Sequence, residues 1–88
     1  MLKITETFRN ESTITFKLEG KVLVPWVDEL RRVCKETPAG TTKISLDLGA
    51  VTFVDAAGAQ LMRELIRQGV AVTRCSGFIA ELLRVKKV

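Results

Sequence analysis

Few residues in this chain have the type and spacing to carry chemistry. There is no histidine, which removes the commonest general base and metal ligand. Asp47, Asp55, Glu64 and Ser76 are the polar groups with a conceivable place in a reaction, and no nucleophile–base pairing joins them. Cys34 and Cys75 stand 41 residues apart with no CxxC, too few ligands for zinc. They read as buried free thiols in a reducing compartment. Hydrolase triads and metal centres are therefore disfavoured, and no cofactor is expected. What remains is the stretch VTFVDAAGAQLMREL, residues 51–65, where a largely apolar strand passes into an amphipathic helix across Asp55-Ala56-Ala57-Gly58. Such junctions can hold phosphate-binding glycines or a reactive hydroxyl. This one holds two alanines.

Three readings compete for that junction. In the structural one, Asp55 caps the helix, a contribution of about 1 kcal/mol, and Gly58 permits close packing on the sheet. In the second, the exposed N–H groups at the helix start bind an anion, although Asp55 would repel a phosphate. In the third, small side chains let a partner approach the backbone. The surface is then formed by Asp55, Ala56, Ala57, Gly58, Gln60 and Arg63, and its outward cations Arg63 and Arg67 favour an acidic partner.

The elements that position the junction follow from periodicity. Residues 2–9 and 13–19 alternate with period two, the mark of half-buried strands. Leu2, Ile4 and Phe8 face one side of the first, Ile14, Phe16 and Leu18 one side of the second. The polar turn Asn10-Glu11-Ser12 joins them as an antiparallel hairpin, and Gly20 ends the second strand. The period then changes. Leu23, Trp26, Val27, Leu30, Val33 and Cys34 form one helix face, with Pro25 in the first turn, Asp28 and Glu29 toward the positive end and Arg31, Arg32 and Lys35 toward the negative end. Pro38 and Gly40 close it. Ile44, Leu46 and Leu48 mark a third strand, interrupted at Gly49-Ala50 by an expected bulge. The second helix carries Ala57, Leu61, Met62, Leu65 and Ile66 on its apolar face and stops at Gly69. Residues 70–75 give a short fourth strand. Ser76 caps a last helix over 77–85, with Ile79, Leu82 and Leu83 as its stripe.

That order, with right-handed crossovers, places both long helices on one face of the sheet. Polar alternates on the first three strands leave the other face open to water. The expected fold is an α/β two-layer sandwich with a four-stranded mixed sheet, a single domain over 1–88.

Composition sets the setting. Apolar residues are 47% and charged residues 27%, the balance of a soluble globular chain. No apolar run approaches the ~20 residues a bilayer requires, and the N-terminus alternates instead of forming a signal-peptide core. The expectation is a cytoplasmic protein with no membrane insertion. The charge of +4, spread over a chain with no Tyr and five other aromatics, lacks the concentrated basic face of a nucleic-acid binder.

The segment KISLDLGAVTFVDAAGAQLMREL resembles the central signature of STAS domains, the family of bacterial anti-sigma factor antagonists. Asp47, Leu48, Val51, Phe53, Asp55 and Gly58 match that pattern in spacing, Leu18 and Gly20 match the upstream strand end, and the resemblance covers nearly the whole chain. It implies the same order of strands and helices. Many members continue beyond the third helix with another strand and helix. It also implies a kinase-modified Ser directly after the Asp, but that position is Ala56, and the next is Ala57. Lys21 and Leu23 stand where acids are usual. With no hydroxyl to esterify, no phosphate charge can be added there, and Thr52, within the strand, is a poor substitute acceptor.

The resemblance therefore implies a non-catalytic protein-interaction module without a phosphorylation switch. Its partner would be an anti-sigma or kinase-like protein, or a transport ATPase if the chain resembles the family's small lipid-transport subunits, as VLVPWVDELRR suggests. Nucleotide, anion or lipid binding at the helix start is the alternative. Dimerisation through the open sheet face or edge is another. Trp26 reads as core, with a binding anchor as its rival role.

Overall fold

The computed structural model describes residues 2–37 and 39–83. Its elements are β1 (Leu2–Arg9), β2 (Thr13–Val22), α1 (Val24–Lys35), β3 (Lys43–Val54), α2 (Ala56–Arg67), β4 (Ala71–Thr73) and α3 (Gly77–Leu83). They build one four-stranded sheet in the order β1-β2-β3-β4, with β1 antiparallel to β2 and the other pairs parallel. The Asn10 side chain shapes the hairpin turn by accepting from the N–H groups of Ser12 and Thr13. The helices pack on one another in the order α1, α2, α3 over one face of the sheet. This is the α/β two-layer sandwich that the periodicity implies. Pro38, the basic tail and the expected end of the last helix at 84–85 lie outside the described residues.

The core is the interface between that face and the helices. Ile14, Phe16, Leu18 and Val22 of β2 and Leu46, Leu48, Val51 and Val54 of β3 meet Leu30 and Cys34 of α1, Leu61, Met62 and Leu65 of α2, and Ile79 and Leu83 of α3. Each such large side chain contributes about 1.5–3 kcal/mol by leaving water. Trp26 packs against the edge of this core, as the core reading required. On the opposite face of β2, Thr13, Thr15, Lys17 and Glu19 are only half-buried, and Lys17 stands beside Asp47 of β3. An opposite-charge neighbour of that kind supports the register.

Four local expectations are corrected. The β1–β2 register shifts between Glu6 and Phe8, so Phe8 falls opposite outward-facing Thr15 and is 52% exposed instead of inward. Arg9 moves to the helix side, where it pairs with Glu6. The Arg9 guanidinium holds the Glu6 carboxyl below the usual carboxylate range. Gly20 does not end β2. At φ 102° it takes a left-handed conformation open to glycine at little cost, and the strand continues to Val22 through a register shift against β3. The inward face of α2 is rotated by about one position. Gly58 and Ala59 are buried, while Ala57 and Ile66 are half-buried. Asp28 and Glu29 lie past the first turn of α1, which carries no acid. The bulge at Gly49-Ala50 is present as a register shift between Asp47 and Ala50 against Lys17 and Glu19. The Ser76 hydroxyl caps α3 by accepting from the Ile79 N–H at 3.2 Å.

Both cysteines are free, Cys34 buried and Cys75 half-buried. Burial pushes the Cys34 thiol up to about 11. An unfolded chain releases that proton near pH 8.5–9, whereas the folded chain holds it to about 11, so deprotonation favours unfolding in between. The contribution is complete below about pH 8.5 and is lost as pH rises through about 11. Urea titrations at pH 8 and pH 10.5 should show Cys34→Val losing less stability over that interval than the parent chain. Equal losses would contradict the assignment.

Candidate docking surface at the carboxyl ends of the strands

Parallel strands β2 and β3 finish side by side, Lys21 opposite Phe53 and Val22 opposite Val54. Each then turns directly into a helix. A helix start exposes N–H groups with no partner in its own helix, and here two such starts lie together. The residue before α1 is Leu23, whose side chain makes no capping bond. Asp55 supplies the missing acceptor for both helices. Its Oδ1 accepts from the Gly58 N–H at 2.7 Å, within its own helix start. Its Oδ2 accepts from the Val24 N–H at 2.9 Å, at the start of α1. Its own N–H donates to the Val22 carbonyl at 3.1 Å.

That arrangement bears out Asp55 as a helix cap. The carboxylate already neutralises the positive ends of two helices, and an incoming anion would meet its charge. Gly58 brings α2 so close to the strand end that a Cβ there would overlap the Val22 carbonyl oxygen.

The six residues expected to meet a partner divide accordingly. Ala56 and Gln60 are exposed, Asp55 and Ala57 are half-buried, and Gly58 is buried against β2. Arg63 is half-buried and donates to the Leu82 carbonyl at 3.0 Å, tying α2 to α3. Two further exposed residues at this end were not assigned to a partner surface from the sequence: Val24 and Phe53, which are 62% and 44% exposed. The signal was available in part, because Val24 lies outside the apolar stripe of α1. Lys21 beside Phe53 adds an exposed cation.

The groups with potential for chemistry are separately engaged. Asp47 accepts from the Gly49 N–H at 2.9 Å, Glu64 pairs with Arg31, and Ser76 and Asp55 act as caps. Among the described residues no group of three or more His, Cys, Asp or Glu could hold a metal ion. Nor is any described helix long and apolar enough to cross a membrane.

No family model and no curated protein matches the sequence. Solved structures do. The anti-sigma factor antagonist SpoIIAA in its unphosphorylated form superposes with a TM-score of 0.71 over 98% of this chain and 89% of its own, at 14% identity. This is a STAS-like fold. The antisigma-factor antagonist STAS domain from Rhodobacter sphaeroides agrees at a TM-score of 0.60 and 13% identity, covering 81% of this chain and 82% of that one. A third match, the crystal structure of Mglu, has a TM-score of 0.66 and 18% identity over 77% of this chain. The STAS-like chain spans 18% of that protein's length.

The double cap makes a stability prediction. Asp55→Ala removes one cap bond and one charge-assisted bond, for a loss of roughly 2–4 kcal/mol. Asp55→Asn keeps only one acceptor oxygen and should fall between. Equal midpoints for Asp55→Ala and the parent chain in urea unfolding would show that the bridge contributes nothing. Gly58→Ala should independently cost about 1–3 kcal/mol through overpacking, with an unchanged denaturant slope.

Proposed function

We propose that this STAS-like domain is a non-catalytic, cytoplasmic protein-interaction module. It docks an anti-sigma or kinase-like partner through the carboxyl end of its sheet, and it is not switched by serine phosphorylation. One observation carries the reading. Among the described residues, exposed Val24 begins α1, bonded through its N–H to Asp55, and exposed Phe53 lies beside Lys21 just before α2 begins at exposed Ala56. Exposed aromatic and aliphatic groups grouped around a small-residue helix start are suited to anchor a protein partner.

The chemistry of the surface narrows the partner. Ala56 is exposed where the family resemblance places a modifiable serine, and a methyl group accepts no phosphate. Asp55 is spent on two helix starts, so the patch presents apolar surface with Lys21 at its margin. A partner with an apolar anchor and carboxylates around it fits that pattern.

The test places a photo-crosslinking residue at Ala56 and, as a control, at Thr5 on the exposed outer face of β1, in cells that make the protein naturally. Crosslinking at Ala56 should give one discrete protein adduct that Thr5 does not. With that partner purified, Val24→Asp and Ala56→Asp should each weaken binding by about 30-fold while leaving the far-UV spectrum unchanged. Adducts of equal yield from both positions, or a phosphoryl group found on the cell-derived chain at this end, would defeat the proposal.

A further inference from the structure

At the opposite end of the helical layer, α1 and α2 flank a crevice of about 160 Å³. Its floor is apolar. Cys34, Leu65 and Val70 are buried there and Ile44 is half-buried beside them. Its rim is polar, with Arg31 and Lys35 from α1 facing Glu64 and Gln68 from α2. An apolar cavity of about 150 Å³ holds benzene, so this crevice suits a ligand of about six to eight non-hydrogen atoms. It is well below the roughly 300 Å³ at which cofactor and drug-sized sites begin. Nucleotides are too large for it.

The charge at the rim selects among small ligands. Glu64 is committed to Arg31 at 3.3 Å, and Arg31 also reaches Asp28 at 3.4 Å. Lys35 has no acidic partner within 4.0 Å among the described residues. A helix end could instead attract a cation through its free carbonyls, but the last turn of α2 is closed. The Gln68 N–H donates to the Glu64 and Leu65 carbonyls, the Gly69 N–H to Ile66, and the Val70 N–H to Leu65. The uncommitted charge at the rim is therefore positive, and the Gln68 side-chain amide adds a neutral donor.

The geometry points to a binding site for a small amphiphilic monocarboxylate, its hydrocarbon part on Ile44, Leu65, Val70 and the Cys34 thiol and its carboxylate on Lys35 and Gln68. The site is for binding, not chemistry, because the Cys34 thiol keeps its proton at neutral pH. It lies at the far ends of α1 and α2 from the Asp55 junction and does not depend on the docking proposal. An eight-atom ligand at ordinary ligand efficiency binds with a dissociation constant of roughly 1 mM.

Amide NMR titration of the full chain with sodium hexanoate, at pH 7 and constant ionic strength, tests this directly, with hexanol and hexylamine as probes of matched shape. Hexanoate should cause saturable shifts in Cys34, Lys35, Leu65, Gln68 and Val70, at roughly millimolar affinity and ahead of both controls. Lys35→Ala, at an exposed position that leaves the fold intact, should weaken hexanoate about fivefold, and Lys35→Glu should reverse the preference toward hexylamine. Three results would overturn the assignment: no saturation by 50-fold above that estimated constant, equal affinity for the three probes, or shifts confined to the Asp55 end.

Discussion

A single carboxylate sets the relation between the two long helices. Parallel strands deliver their helices to the same end of the sheet, so α1 and α2 both begin where β2 and β3 finish. Each beginning leaves N–H groups that water or a side chain must satisfy. Asp55 satisfies one at each start, Gly58 within α2 and Val24 within α1, with both of its oxygens. The contact is charge-assisted, short and bridges 31 residues of sequence. Because Gly58 also brings α2 against the Val22 carbonyl, the axial position of α2 is fixed from two directions. Strand end, helix start and neighbouring helix become one rigid corner.

That corner determines what the surface can recognise. An acid placed at two positive helix ends cancels much of their attraction for an outside anion, so under the proposed docking role recognition would fall to shape and apolar contact. Ala56 projects from this corner with nothing to modify, and Val24 sits one bond away from it. Exposing Val24 and Phe53 costs hydration free energy that a packed partner would restore. Arg63 has a different role from the one its outward phase suggested. Its guanidinium is held on the Leu82 carbonyl, so it braces α3.

The division between what the sequence disclosed and what it withheld follows the range of the interactions. Period-two and 3.6-residue patterns are local, and they disclosed the order of all seven elements. The Gly49-Ala50 bulge and the Ser76 cap were also legible, because each has a signal within a few residues. Phe8 was misplaced because its side is set by a register shift against β2, and nothing in LKITETFR marks where that shift falls. Gly20 was misread for a related reason. A glycine can end a strand or bend it, and pairing with β3 decides for bending. For the site, Asp55 as a cap was readable from its place before a helix, and Ala56 as a missing hydroxyl was readable from its residue type. The bond from Asp55 to Val24 was not, since Leu23 looks like an uncapped helix start until β3 is laid beside β2. The presence of exposed Val24 and Phe53 at one end likewise appears only once β3 is laid beside β2.

The two ends of the helical layer differ in how firmly they are closed. At the strand carboxyl ends, α1 and α2 are joined through a half-buried carboxylate with bonds of 2.7 and 2.9 Å. At the other end they are joined by Arg31 and Glu64, 3.3 Å apart, with side chains 36% and 41% exposed. An exposed ion pair of that length is worth less than 1 kcal/mol and weakens with salt, whereas leaving a half-buried N–H without its carboxylate costs more. The Asp55 end is therefore the more firmly tied of the two, and the Arg31–Glu64 end lies over an apolar floor. Twelve helical residues, about 18 Å of axis, separate the two ends.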